Sequence, residues 1–214
     1  MVKELMKIAD CTTTSVAAHT VADGGWLLHR VKWQQGGLYS DIVTQYERYI
    51  LNHFGHNVSV IYDGYDGGPF TNDYEHTWRA AKRAPDVALE LSTPSYSNQS
   101  AFLANEHNKK QLVAAVMNHL TRAGISASQA TRDADTLIVS CALQKASSGV
   151  AVTVVANDTD VFIMLLYHFS NSMSDVYMHI ETSKVAPIKK ICIRKLVAAV
   201  KPTLCCHDEL VCHH

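Results

Sequence analysis

Three short apolar runs, each closing on an aspartate, constrain this chain more than any other feature. Residues Ser15 to Ala22 lead into Asp23-Gly24-Gly25, Val58 to Tyr62 into Asp63-Gly64, and Val150 to Ala156 into Asn157-Asp158-Thr159-Asp160. Runs of this length, rich in β-branched residues and bounded by turn-forming residues, predict buried strands. A strand apolar on both faces needs cover on both sides, and the segments between these runs supply it with helical periodicity.

Ile42, Tyr46, Tyr49 and Ile50 sit at helical spacing within Asp41 to Phe54. Leu112, Val113, Val116 and Leu120 form one stripe over Glu106 to Ala123, with Gly124 as the stop. Over Asp133 to Lys145, Ala134, Leu137, Ile138, Cys141 and Ala142 predict an amphipathic helix. A helix is also expected from Val161 to His168, a very short strand at Ile125 to Ala127, another strand at Asp175 to Ile180, and a basic helical region from Pro187 to Val200. Alternating strands and helices predict an α/β fold with a mainly parallel central sheet flanked by helices.

A chain of 214 residues with 47% hydrophobic residues suffices for one sizeable core, so a single domain is expected over 1–214. Residues 64–105, broken by Gly67-Gly68-Pro69, Pro85 and Pro94, read as an insertion capping that core, with Tyr74 to Arg83 helical. Residues 184–214 read as a basic C-terminal helical region. With neither a signal-peptide core nor a bilayer-length apolar stretch, the chain is expected to be intracellular, with no membrane partner. Six scattered cysteines do not make a disulfide framework, so reduced thiols are expected.

The chemistry is expected at the strand ends. Ligands of open parallel sheets bind beyond the carboxyl ends of the strands, which would bring Asp23, Asp63 and Asp158 to one edge. Asp160, two residues on, shares the side of Asp158 if the chain is still extended there. Asp133 and Asp135 join them if their helix points its N-terminus at the same edge. Singly, an aspartate after a strand is usually a cap or turn residue; it is the joint pattern that argues for a site. Carboxylates so crowded call for cations, and hard oxygen donors suit Mg2+ or Mn2+. Two such ions, about 3.5 to 4 Å apart, suit phosphodiester hydrolysis.

The segments Val21-Ala22-Asp23-Gly24-Gly25, Val60-Ile61-Tyr62-Asp63-Gly64, Arg132-Asp133-Ala134-Asp135 and Ala156-Asn157-Asp158-Thr159-Asp160 resemble, in order, the flap-endonuclease branch of the PIN-like nuclease superfamily, in particular its transposon-associated eukaryotic members. The resemblance implies a PIN-like three-layer fold and a metal-dependent, structure-selective nuclease acting on DNA or RNA. It further implies that Asp23, Asp63, Asp158 and Asp160 hold the metals, and that Asp133 and Asp135 replace the paired glutamates of flap endonucleases. The family's terminal Gly-x-Asp motif has no match, since no glycine follows Gly149; the resemblance then implies a truncated C-terminal region, substitution by Asp208, or impaired activity.

A net charge of −1 leaves any nucleic-acid surface to local clusters. Arg79, Lys82 and Arg83 lie where the resemblance places an arch over the active site. Lys184, Lys189, Lys190, Arg194, Lys195 and Lys201 form the longest basic stretch without an acid, suited to backbone phosphates. A DNA substrate would imply a nuclear location. Cys205-Cys206-His207 and Cys212-His213-His214 offer zinc-ligating residue types without the usual spacing. Two other functions fit less of the pattern. One is a PIN-like module that binds nucleic acid or protein without cutting. The other is an aspartyl-nucleophile phosphatase built on Asp158-Thr159-Asp160.

Overall fold

Val58–Tyr62 forms a strand (β2) buried at all five positions, and Val152–Val155 forms another (β4) buried at all four, as unbroken apolar runs between flanking layers require. Both belong to a computed structural model that describes residues 18–64, 83–180 and 189–208. Within these, β1 is His19–Asp23, β3 is Ser126–Gln129, β5 is Val176–Ile180 and β6 is Lys189–Cys192. Strand order along the single sheet is β3-β2-β1-β4-β5-β6. The β1–β4, β2–β3 and β4–β5 pairs are parallel, and the β5–β6 pair is antiparallel. The expected mainly parallel α/β sheet is therefore present.

The described residues fall into two compact units, and Asp23–Ala134 make up one. Here α1 (Gly24–Arg30) lies against β2. The helices α2 (Tyr39–Phe54), α3 (Gln99–Leu103) and α4 (Glu106–Arg122) follow, and α4 packs on α2, α3 and β3. Leu112, Val113, Val116 and Leu120 are buried as their spacing predicted, and so are Ile42, Tyr46 and Ile50 of α2. Gly124 ends α4 with φ +76°, a conformation glycine adopts without steric cost. Tyr46 anchors the middle of this unit: its hydroxyl donates to Leu28 O at 2.9 Å and accepts from Trp33 Nε1 at 3.0 Å. His119 Nε2 lies 2.6 Å from Glu47 Oε2, tying α4 to α2.

The other unit comprises the described residues of 18–22 and 135–208. Its strands run in the register Val21↔Val154 and Val154↔Met178, with Met178↔Ile191 on the antiparallel side. It carries α5 (Ala134–Ser147), α6 (Thr159–His168) and α7 (Ile193–Asp208). α7 packs on α6 and β5, burying Leu196 beside Ile191, with Phe162 and Leu166 against them. Among the described residues, no helix is long and apolar enough to cross a membrane.

The structure corrects several expectations. Gly24-Gly25 opens a helix instead of a simple turn, because the Asp23 side chain caps it. Residues Lys189–Cys192 are an edge strand, so the helix expected from Pro187 begins at Ile193. Leu137 lies outside its predicted stripe at 37% exposure; Ala134, Ile138, Val139, Ala142 and Ala146 form the buried face of α5. The helix expected over Tyr74 to Arg83 falls on undescribed residues, apart from Arg83 at its end.

Candidate metal centre

The polypeptide leaves the sheet at β4 through buried Ala156 and is exposed from Asn157 to Asp160. Asp158 keeps extended backbone angles, φ −113° and ψ 135°, and is the N-cap of α6. Its Oδ1 accepts the Asp160 N–H at 2.7 Å, which satisfies one of the amides a helix start leaves unpaired. Asp160 is thus already in the first turn of α6. The two carboxylates come together through a cap, not through the extended alternation expected from sequence.

Asp135 stands in the first turn of α5. One carboxylate oxygen from each of Asp135, Asp158 and Asp160 lies within 4.8 Å of the others. Asp158 and Asp160 are exposed and Asp135 is half-buried. Helix N-termini favour negative charge, but three carboxylates this close repel one another until a cation or protons intervene. Hard oxygen donors with solvent on one side fit a divalent ion that keeps part of its water shell, as Mg2+ and Mn2+ do.

Asp23 and Asp63 meet in the Asp23–Ala134 unit. Asp23 ends β1, and its Oδ1 accepts the Gly25 N–H at 2.7 Å. Asp63 follows β2, and its Oδ1 accepts the Ala134 N–H at 3.2 Å. The two bracket Gly25: a Cβ there would lie 3.1 Å from Asp23 Oδ1 and 3.5 Å from Asp63 Oδ2. Burial raises the Asp23 pKa to about 6. The Trp26 and Gly25 amides oppose the rise, the neighbouring Asp63 charge adds to it, and Lys109 offsets part. Asp133 is exposed, one residue before α5.

Lys109, on α4, was missed in the sequence. Nothing in its local pattern sets it apart from its neighbour Lys110, and only the fold brings it within electrostatic reach of Asp23.

The basic residues are distributed as follows. Arg83 is exposed and Lys195 is exposed on α7, while Lys190 Nζ stands 4.3 Å from the Tyr177 ring centroid. Arg194 turns inward. Its Nε donates to Asp175 Oδ1 at 2.5 Å, Nη1 to Asn171 O at 2.9 Å, and Nη2 to Met173 O, with the guanidinium 5.1 Å from the Phe169 ring. Arg79, Lys82 and Lys184, the Lys189 and Lys201 side chains, and the cysteine and histidine side chains of the zinc expectation lie outside the described residues.

No protein-family model matches the chain, and no curated protein matches it either. Among solved structures it is similar to human GEN1 in complex with Holliday junction DNA, at TM-score 0.41 and 16% identity over 95% of this chain and 45% of that one. It is also similar to a eukaryotic junction-resolving enzyme GEN-1 binding with cesium, at TM-score 0.37 and 16% identity over 81% and 30%. The chain spans less than half of either structure.

Proposed function

We propose that this protein is a metal-dependent nuclease of the PIN-like, flap-endonuclease kind, hydrolysing phosphodiester bonds in DNA or RNA and selecting its substrate by structure. The observation that carries the reading is the convergence of Asp135, Asp158 and Asp160, from two helix N-termini, to within 4.8 Å. Three hard oxygen donors with open access are what a catalytic Mg2+ or Mn2+ needs from a protein.

Asp158 and Asp160 would be the central ligands, with Asp135 completing the group. The Asp160 N–H bond holds Asp158 Oδ1 in place before any ion arrives. Asp23, Asp63 and Asp133 are assigned to a second ion, whose charge would offset the cost of keeping the buried Asp23 carboxylate ionised above its pKa of about 6. When bound, such ions polarise phosphoryl oxygens and make bound water a nucleophile at neutral pH. Lys195, Arg83, Arg79, Lys82, Lys189 and Lys190 are assigned to backbone phosphates, which gives affinity without sequence readout. Lys109 adds a cation near Asp23.

The deciding experiment offers labelled single-stranded, flapped and duplex DNA and RNA to the wild type and to Asp158→Asn, with Mg2+, Mn2+ or EDTA. Cutting that needs metal and falls at least a hundredfold in the variant is expected. Ion and nucleic-acid binding without cutting would overturn the enzymatic reading and leave a binding module. A covalent phospho-aspartate formed from a phosphate monoester would overturn it in favour of a phosphatase.

A further inference from the structure

Residues 84–90 run beside α4, held by six bonds from side-chain amides and, at their start, by the Ala84 N–H donating to Ala101 O at 2.9 Å. Asn105 Nδ2 donates to Ala84 O at 2.9 Å and to Asp86 Oδ1 at 2.8 Å. Asn108 Nδ2 donates to Pro85 O at 2.9 Å, and its Oδ1 accepts the Val87 N–H at 2.8 Å. Gln111 repeats the pattern, donating to Val87 O at 2.8 Å and accepting the Leu89 N–H at 3.0 Å.

Asn105 is the N-cap of α4, and Asn108 and Gln111 follow at intervals of three, so that the two helical residues are neighbours on the helix surface. A primary amide offers one carbonyl and two N–H groups, so Asn108 and Gln111 each pair with the segment as a neighbouring strand's peptide group would. Five of the six amide contacts are to backbone, and only the Asn105 contact with Asp86 is to a side chain.

Apolar packing contributes little to this attachment. Pro85, Asp86, Ala88 and Glu90 are exposed, Val87 and Leu89 half-buried, and only Ala84 is buried. Farther along, the same run caps α2: the Tyr39 N–H donates to Thr93 O at 3.1 Å and the Ser40 N–H to Leu91 O at 2.9 Å. Segments with few buried apolar contacts open at lower free energy than the core they rest on. On the helix side, Asn105 and Asn108 are 3% and 0% exposed, so the segment shields a polar face that water can satisfy once it lifts.

We infer that residues 84–90 are a detachable strap, clipped to α4 by the Asn105–Asn108–Gln111 amide ladder and released by local opening while the fold around β2 stays closed. The inference is independent of the nuclease reading, and its test needs no activity.

Hydrogen exchange of the full chain, followed by mass spectrometry, compares the peptide covering 84–90 with that covering β2. The strap amides of Val87 and Leu89 are expected to exchange at least a hundredfold faster than the β2 amides. Gln111→Ala removes two ladder bonds from a half-buried position and is expected to speed strap exchange roughly tenfold, leaving β2 unchanged. Strap amides no faster than β2, or a variant that accelerates both peptides equally, would overturn the inference. If the variant does not fold, the wild-type comparison of the two peptides still decides.

Discussion

Gly24 lies flat against the ring of Tyr62: a Cβ built on Gly24 would stand 2.3 Å from Cδ1 and 2.5 Å from Cε1. Tyr62, at the end of β2, is 1% exposed, so its ring cannot yield without displacing core. Gly24→Ala is therefore expected to destabilise the protein by about 1 to 3 kcal/mol, the range for overpacking a filled interior, read as a lower Tm. Gly25→Ala makes the contrast, since its nearest neighbours are the Asp23 and Asp63 carboxylates. It is expected to fold with a smaller loss and to weaken Mn2+ binding. Equal Tm losses for the two variants would contradict this division.

Asp158 has two separable tasks. As N-cap it accepts the Asp160 amide, a bond whose loss on truncation to alanine costs about 1 kcal/mol; as a ligand it supplies negative charge. Asp158→Asn keeps a side-chain acceptor but not the charge, whereas Asp158→Ala keeps neither. The asparagine variant is expected to melt close to wild type and the alanine variant below it, with Mn2+ affinity by titration calorimetry falling at least tenfold in both. Unchanged affinity in the asparagine variant would remove Asp158 from the ion site.

Arg194 was expected to contact phosphate, but its guanidinium reaches Asp175, Asn171, Met173 and Phe169 instead. Lysine cannot reproduce a planar group with donors in several directions. Arg194→Lys is expected to cost about 1 to 3 kcal/mol through lost hydrogen bonds, read by denaturant unfolding. Lys195→Ala, on the exposed side of α7, is expected to leave stability nearly unchanged, weaken nucleic-acid binding and flatten its salt dependence by about one phosphate contact. A Lys195 variant with an unaltered salt slope would take that residue off the surface.

What was legible in the sequence was whatever a local pattern encodes. β2 and β4 appear as apolar runs, α4 as a stripe closed by Gly124, and Asp23, Asp63 and Asp158 as strand-end residues. Features that depend on competing local signals were misplaced. Gly24-Gly25 has the composition of a turn, and only the Asp23 cap and the close fit to Tyr62 make it helical. Asp158-Thr159-Asp160 reads as a strand's end, yet the first aspartate caps the helix that holds the second. β6, four residues long, is too short to display a period and is set by pairing with β5. Lys109 and the strap on α4 were invisible, because both depend on contacts between segments far apart in the chain.

The pKa of Asp23 supplies a pH test with a defined sign. Burial lifts it from 3.8 to about 6, so the folded protein holds this proton more tightly than the unfolded chain. The stabilisation it contributes is fully present below about pH 3.8 and is lost as the pH rises through about 6. Above that, the ion-free protein carries a cost of roughly 3 kcal/mol, at 1.36 kcal/mol per pKa unit. Asp23→Asn retains an oxygen for the Gly25 amide without the charge. Free of metal, it is expected to be more stable than wild type by up to about 3 kcal/mol at pH 7.5, the gap closing toward pH 4. Mg2+ or Mn2+ should narrow the gap from the other side, stabilising wild type by neutralising the carboxylate and leaving the variant less affected. Denaturant unfolding between pH 4 and 8, with EDTA and with Mn2+, reads both effects. An asparagine variant less stable than wild type at pH 7.5 in EDTA would show that the Asp23 charge is already compensated by groups of the protein itself, and that no cation is needed there.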